Sequence, residues 1–152
     1  MAVTATASKG YAFEDIDIGM SASIRRTVRE GDIAAFAEIT GDRNPVHMDA
    51  AYAAETMFKE RISHGMLTAS YMSAVFGMEL PGPGAIYISQ TLNFRRPVHI
   101  GDTITATASV VEMFPGKNRV RFVCVCTNEA GKPVVEGEAM LMVPSRADRQ
   151  AP

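Results

Sequence analysis

Two kinds of apolar spacing divide the chain. As far as ELPGPG, residues 79 to 84, the spacing is mostly helical; beyond it, the spacing has a period of two. In DIAAFAEIT, residues 32 to 40, Ile33, Phe36, Ala37 and Thr40 recur at helical spacing, and Asp32 stands where an N-cap belongs. GDRNP ends that helix, because Pro45 lacks a backbone donor and disfavours helix at Asn44. DAAYAAETMF, residues 49 to 58, predicts a second short helix with Asp49 as its cap. GMLTASYMSAVFGM, residues 65 to 78, carries no charge. A helix apolar on nearly every side is expected to be buried on nearly every side. The prolines and glycines of ELPGPG stop it.

The remainder reads as strands. SASIRRTV, residues 21 to 28, is a first strand ahead of the helices. AIYISQTLNFRRPV sets Ile86, Ile88, Gln90, Leu92 and Phe94 on one face. GDTITATASVVEMF does the same with Ile104, Ala106, Ala108 and Val110, and NRVRFVCVCT with Val120, Phe122, Cys124 and Cys126 opposite Arg119 and Arg121. NEAGK is a turn, and PVVEGEAMLMV is the closing strand. A meander with one apolar face needs something to cover it, and the uncharged helix is the available element. The fold class is therefore α+β: a curved five-stranded antiparallel sheet around one central helix. The domain spans residues 10–144, with flexible tails at 1–9 and 145–152.

Composition narrows the class. The chain has 152 residues, 47% of them hydrophobic and 21% charged, which suits one globular domain. Fifteen basic against seventeen acidic residues give a net charge of -2, with no basic stripe, so neither nucleic acid nor an anionic membrane is an expected partner. No apolar run has membrane-spanning length, and the start lacks the pattern of a secretory signal, so a cytoplasmic location is expected. Cys124 and Cys126, two apart on one strand face, are poorly placed to bridge each other and read as buried thiols.

Candidate chemistry concentrates in GDRNPVHMD, residues 41 to 49. On its own this is a surface turn, a metal site or an acid/base pair. On a helix, Asp42 and His47 would face apart; a proline bend can bring both to one point. Asp42, His47 and Asp49 could imitate metal ligands, but no further ligand set accompanies them, and no metal is expected. The second segment is SHGML, residues 63 to 67, opening the uncharged helix. The first amides of a helix lack internal acceptors, so Gly65, with no side chain in the way, can offer its N–H to a developing oxyanion. Gly65 could equally serve close packing, and His64 could cap the helix or fill space.

The run GDRNPVHMDAAYAAETMFKERISHGML resembles the signature of the MaoC-like (R)-specific enoyl-CoA hydratases, the hydratase 2 family. Gly41, Asp42, Asn44, Pro45, His47, Asp49, Ala54, Phe58, Ile62, His64, Gly65 and Met66 occupy the signature positions without a departure. LPGPGAIYISQTLNFRRPVHIGDTITATASV and EGEAMLMVP are similar to further family segments, so the likeness covers most of residues 11 to 144.

The resemblance implies a hot-dog fold, a small homodimer and reversible addition of water to a trans-2-enoyl thioester, giving an (R)-3-hydroxyacyl thioester. It implies that Asp42 and His47 are the catalytic pair, that Gly65 is the oxyanion donor, and that Asn44 shapes the loop. His64 and Ser73 are carried over as substrate-binding positions. No cofactor is expected, since coenzyme A is part of the acyl-CoA substrate. Rival readings are a dehydratase acting on a carrier-protein thioester and a hot-dog subunit that binds acyl-CoA without turning it over. Arg95 and Arg96 suit either CoA phosphates or the protection of a sheet edge. His99, in PVHIGD, reads as a solvent-facing turn residue.

Overall fold

A computed structural model describes residues 9–150. In chain order the elements are β1 (Ser21–Thr27), α1 (Glu30–Thr40), α2 (Pro45–Met48), α3 (Ala50–Ala54), α4 (Gly65–Ala69), α5 (Tyr71–Ala74), a π-helical turn (Val75–Glu79), β2 (Ile86–Gln90), β3 (Asn93–Phe94), β4 (Thr103–Phe114), β5 (Arg119–Thr127), β6 (Pro133–Met142) and α6 (Arg146–Gln150). The strands form one antiparallel sheet in the order β1-β4-β5-β6-β2, with β3 also pairing with β6. No helix among the described residues is long and apolar enough to cross a membrane.

The period-two pattern decides which face of the sheet is inside. Ile104, Ala106, Ala108 and Val110 of β4 are buried, as are Val120, Phe122, Cys124 and Cys126 of β5. They pack against Leu67, Met72, Val75 and Phe76 of the helical run, where Phe76 meets Phe122 edge-on at 4.9 Å. The outer face is polar. Hydroxyl pairs bridge β1 and β4 at every second residue or so: Ser21–Ser109 at 3.1 Å, Ser23–Thr107 at 2.8 Å and Thr27–Thr103 at 2.8 Å. Arg121 of β5 reaches Glu112 at 2.9 Å and Glu138 at 3.0 Å on the same face. Both cysteines are free, and burial pushes their thiols up, to about 11 for Cys124 and about 12 for Cys126.

Four expectations change. The sheet has six strands rather than five, because residues 85–98 do not form one continuous strand: the chain breaks between Gln90 and Asn93 into β2 and β3. The Thr91 carbonyl there folds over β6 onto Gly137, where any Cβ would lie 1.8 Å from its oxygen. Asp32 is not the N-cap of α1. The helix begins two residues earlier, and Asp32 closes a capping box at its third position, its Oδ2 accepting from the Arg29 N–H at 2.9 Å. The central helix is not covered all round: Met66, Ser70, Ser73, Gly77 and Met78 form an exposed face, because the sheet wraps only one side. Residues 145–150 are no loose tail. Arg146 pairs with Asp15 at 2.5 Å, while Arg149 donates to the Tyr11 carbonyl at 2.7 Å and the Pro83 carbonyl at 3.0 Å. The expectations for residues 1–8 and 151–152 lie outside the described residues.

Candidate active site

The GDRNPVHMD segment is built from short-range polar bonds. Gly41 ends α1 with φ of 80°, a left-handed value that glycine accepts without strain. Asp42 Oδ1 then accepts from the Asn44 N–H at 3.1 Å, and Asn44 Oδ1 accepts from the Val46 N–H at 3.2 Å, capping α2. Pro45 fills the first helical position, where a missing donor costs nothing. Asp49 caps α3 by accepting from the Tyr52 N–H at 3.0 Å, as its position in the sequence predicts. Asn44 thus shapes the loop and orients the Asp42 carboxylate with its own main chain. Asp49 is structural.

One turn of α2 carries His47 back beside Asp42. A carboxylate oxygen of Asp42 and one ring nitrogen each of His47 and His64 lie within 4.8 Å of one another. One water that hydrogen-bonds two groups at about 2.8 Å each spans roughly 4.5 Å, so a gap of up to 4.8 Å between Asp42 and His47 is one that a single water can bridge. His47 Nδ1 lies 2.8 Å from the Ile62 carbonyl oxygen. A carbonyl only accepts, so Nδ1 holds the proton and Nε2 is left as the free base. Burial, the largest influence, pushes this imidazole below its ordinary value of 6.5; the Ile62 carbonyl and Asp42 pull it up without prevailing, and His64 adds to the lowering. Asp42 is exposed and His47 half-buried.

Gly65 opens α4 next to this pair. No acceptor among the described residues takes its N–H. The Phe94 ring lies directly over its α-carbon, so that an added Cβ would meet ring carbons at 2.8 Å. Two cavities meet here, sharing His47, Gly65 and Met66. One, of about 310 Å³, holds Asp42 and His64; the other, of about 470 Å³, is walled by Phe58, Phe94, Arg95 and Arg96. Ser73 is not at the pair. It lines a third cavity of about 460 Å³ between the exposed helix face and β2, which shares Met66 with the first two.

His64 is buried, only 2% exposed, behind His47 rather than in the wide cavity. Reading the sequence residue by residue missed the parts that hold the site from behind. Arg61 donates Nε–H to the His47 carbonyl at 2.6 Å and is itself paired with Glu30 at 2.8 Å. The Ile62 carbonyl fixes the His47 ring, and Ile62 is held by a bridge to His99, with the Ser63 N–H donating to the Val98 carbonyl at 2.7 Å. His99 is therefore half-buried at a strand junction, 3.4 Å from Glu60, rather than a solvent-facing turn residue. Main-chain acceptors leave no mark in a sequence, and a lone arginine in KERIS has none of its own.

Residues 13–130 match the MaoC like domain. The chain belongs to the MaoC-like family. This MaoC-like chain is 54% identical over 136 residues to an (R)-specific enoyl-CoA hydratase of Rhodospirillum rubrum, covering 90% of this chain and 94% of the relative. It is 46% identical to a 3-hydroxybutyryl-CoA dehydratase of Methylorubrum extorquens, covering 90% and 86%. Among solved structures it superposes on the unliganded R-hydratase PhaJ1 of Pseudomonas aeruginosa with a TM-score of 0.86, at 48% identity over 90% of this chain and 88% of that one. The hot-dog architecture, a sheet wrapped on a helix, is thus both observed here and shared with a solved hydratase.

Proposed function

We propose that this MaoC-like chain adds water reversibly to trans-2-enoyl-CoA, giving (R)-3-hydroxyacyl-CoA. The observation that carries the reading is an Asp42 carboxylate oxygen and a His47 ring nitrogen within 4.8 Å of each other, beside a Gly65 amide with no acceptor among the described residues. Relatives named as an (R)-specific enoyl-CoA hydratase and a 3-hydroxybutyryl-CoA dehydratase support the same bond in both directions.

The pair orients one water over Cβ. One water O–H bond breaks as the C–O bond forms at Cβ; the proton passes to the pair and ends on Cα. Negative charge gathering on the thioester oxygen meets the Gly65 N–H. Acid/base groups so placed contribute about 10²–10⁴-fold and one oxyanion donor about 10²–10³-fold. Nothing in this scheme calls for a metal or an organic cofactor; coenzyme A arrives with the substrate. Arg95 and Arg96, on the wall of the cavity that holds His47, meet the CoA phosphates. Arg95 is shared with Glu136 at 3.2 Å, while Arg96 donates to the Pro133 carbonyl at 2.7 Å. A homodimer in the cytoplasm completes the reading, supported by the exposed apolar edge at β2 and by two unbridged buried thiols.

With crotonyl-CoA the expected result is loss of enoyl absorbance with (R)-3-hydroxybutyryl-CoA as product and no free thiol, unchanged after dialysis against EDTA. Thiol release without hydration would make it a thioesterase, and binding without turnover a non-catalytic subunit. Arg96→Ala is expected to raise KM for crotonyl-CoA at constant kcat and to leave crotonyl-pantetheine, which lacks the nucleotide phosphates, unaffected. Equal KM values for wild type and variant would remove Arg96 from the substrate contact.

A further inference from the structure

His64 is the one fully buried imidazole among the described residues, and no step of hydration uses it. Its ring packs in tilted contact with two others: the His47 ring centroid is 4.0 Å away at an interplanar angle of 32°, and that of Phe36 is 4.8 Å away at 51°. Its Nε2 lies 2.9 Å from the main-chain carbonyl oxygen of Asp42. A carbonyl only accepts, so Nε2 carries the proton, and in the neutral ring Nδ1 keeps a bare lone pair. That Nδ1 is buried with no partner among the described residues.

We propose that His64 is the positioning residue of the catalytic pair, holding Asp42 through its carbonyl and His47 through its ring face so that the two move as one unit. This reading rests on Asp42 and His47 being the hydrating pair.

Two plainer roles fit less well. His64 occupies the N-cap position of α4, yet its side chain makes no cap bond. As a mere space-filler it is a poor choice, since a buried polar atom without a partner is destabilising and a phenyl or leucyl group would avoid that. The gain that accounts for it is the bond to Asp42. The Asp42 carboxylate sits on an exposed loop after a left-handed glycine; its Oδ1 accepts from the Asn44 N–H and the Asp42 N–H donates to the Thr40 hydroxyl, both within two residues. Among the described residues, the His64 bond is the one hydrogen bond that ties residues 41–44 to a distant segment, across 22 positions of sequence; the ties from Arg61 and Ile62 reach only as far as α2. Without it the 42–43 peptide can turn and carry the carboxylate off the water, and a misplacement of about 1 Å can cost about 10²-fold. His64 does not line the wide cavity beside Phe94; it faces the smaller one that holds Asp42 and His47.

The test compares wild type, His64→Gln, His64→Asn and His64→Ala with crotonyl-CoA, alongside melting curves. A glutamine amide can place an N–H near the Nε2 position; asparagine is too short for that but is among the best N-caps. The expected result is a kcat lower by about 10²-fold in the Asn and Ala variants with KM near wild type, and recovery of at least about tenfold in the Gln variant. Asn matching wild type would make His64 a cap. Gln no better than Asn, with kcat tracking melting temperature, would make it a packing residue. Two-bond proton–nitrogen correlation spectra of the wild-type protein give a readout independent of turnover: the Nε2–H tautomer is expected, and Nδ1–H overturns the proposal. A wild type that hydrates nothing while showing Nε2–H refutes the hydratase reading and the proposal's catalytic half together; a wild type that hydrates with Nδ1–H refutes the proposal alone.

Discussion

At the scale of single residues the site depends on which ring nitrogen faces which carbonyl. The Ile62 oxygen leaves His47 with Nε2 as its basic atom, and burial keeps that imidazole less willing to take a proton than it is in water. The sign follows directly. In the proposed mechanism the working form of His47 is the neutral one, which exists above its pKa and is lost below it. With that pKa pushed under 6.5, kcat/KM is expected to be full at neutral pH and to fall on an acid limb whose midpoint lies below 6.5. A rate profile against pH checks this, and a midpoint above 6.5 contradicts it. Asp42→Asn and His47→Gln are expected to lower kcat by about 10²–10⁴-fold while leaving the melting temperature near that of wild type, because neither side chain is in the core. Loss of folding in either variant would show a structural role instead.

At the scale of elements the sequence patterns were most legible where burial is one-sided. β4 and β5 alternate cleanly, and each residue assigned inward from the period is buried. The Asp49 cap was equally legible, since it depends on neighbours in the chain; the stop expected from Pro45 falls instead at the left-handed Gly41, and Pro45 opens α2. Elements whose character depends on distant partners were not. The split between β2 and β3 arises where Thr91 crosses Gly137. α6 looked like a tail because four polar residues and one alanine show no apolar face. It is anchored by Arg149, whose guanidinium reaches Lys9, Tyr11 and Pro83 carbonyls at 3.1, 2.7 and 3.0 Å. Arg149→Ala is expected to destabilise the fold by about 2 kcal/mol, a Tm lower by roughly 4–8 °C, with kcat unchanged. Thermal unfolding measures it; an unchanged Tm would mean that α6 adds nothing to the domain.

At the scale of the whole molecule, one side of the chain is unfinished. Ile86, Tyr87 and Ile88 stand exposed on the edge strand β2 at 50%, 41% and 41%, beside the open helix face with Met66 and Met78. An exposed apolar edge strand is an invitation to pair, and such an edge is normally covered. Light scattering is expected to give twice the 16.4 kDa chain mass, and Ile88→Arg to reduce it to one chain. A wild-type monomer would leave the edge without a second copy. The sequence by itself determined the inward faces of β4 and β5, the caps that bend residues 41–49, and the types of group available for acid/base work. These are properties of near neighbours and of periodicity, which a linear chain carries directly. Only the tertiary structure decided that His47 turns Nδ1 to the Ile62 carbonyl, that Arg61 and His64 reach the main-chain carbonyls of His47 and Asp42, that Phe94 lies on Gly65 and that Ser73 faces a different cavity. Each of these requires a contact between segments far apart in sequence, often through a main-chain carbonyl that every residue has, so the folded geometry alone selects which of them act.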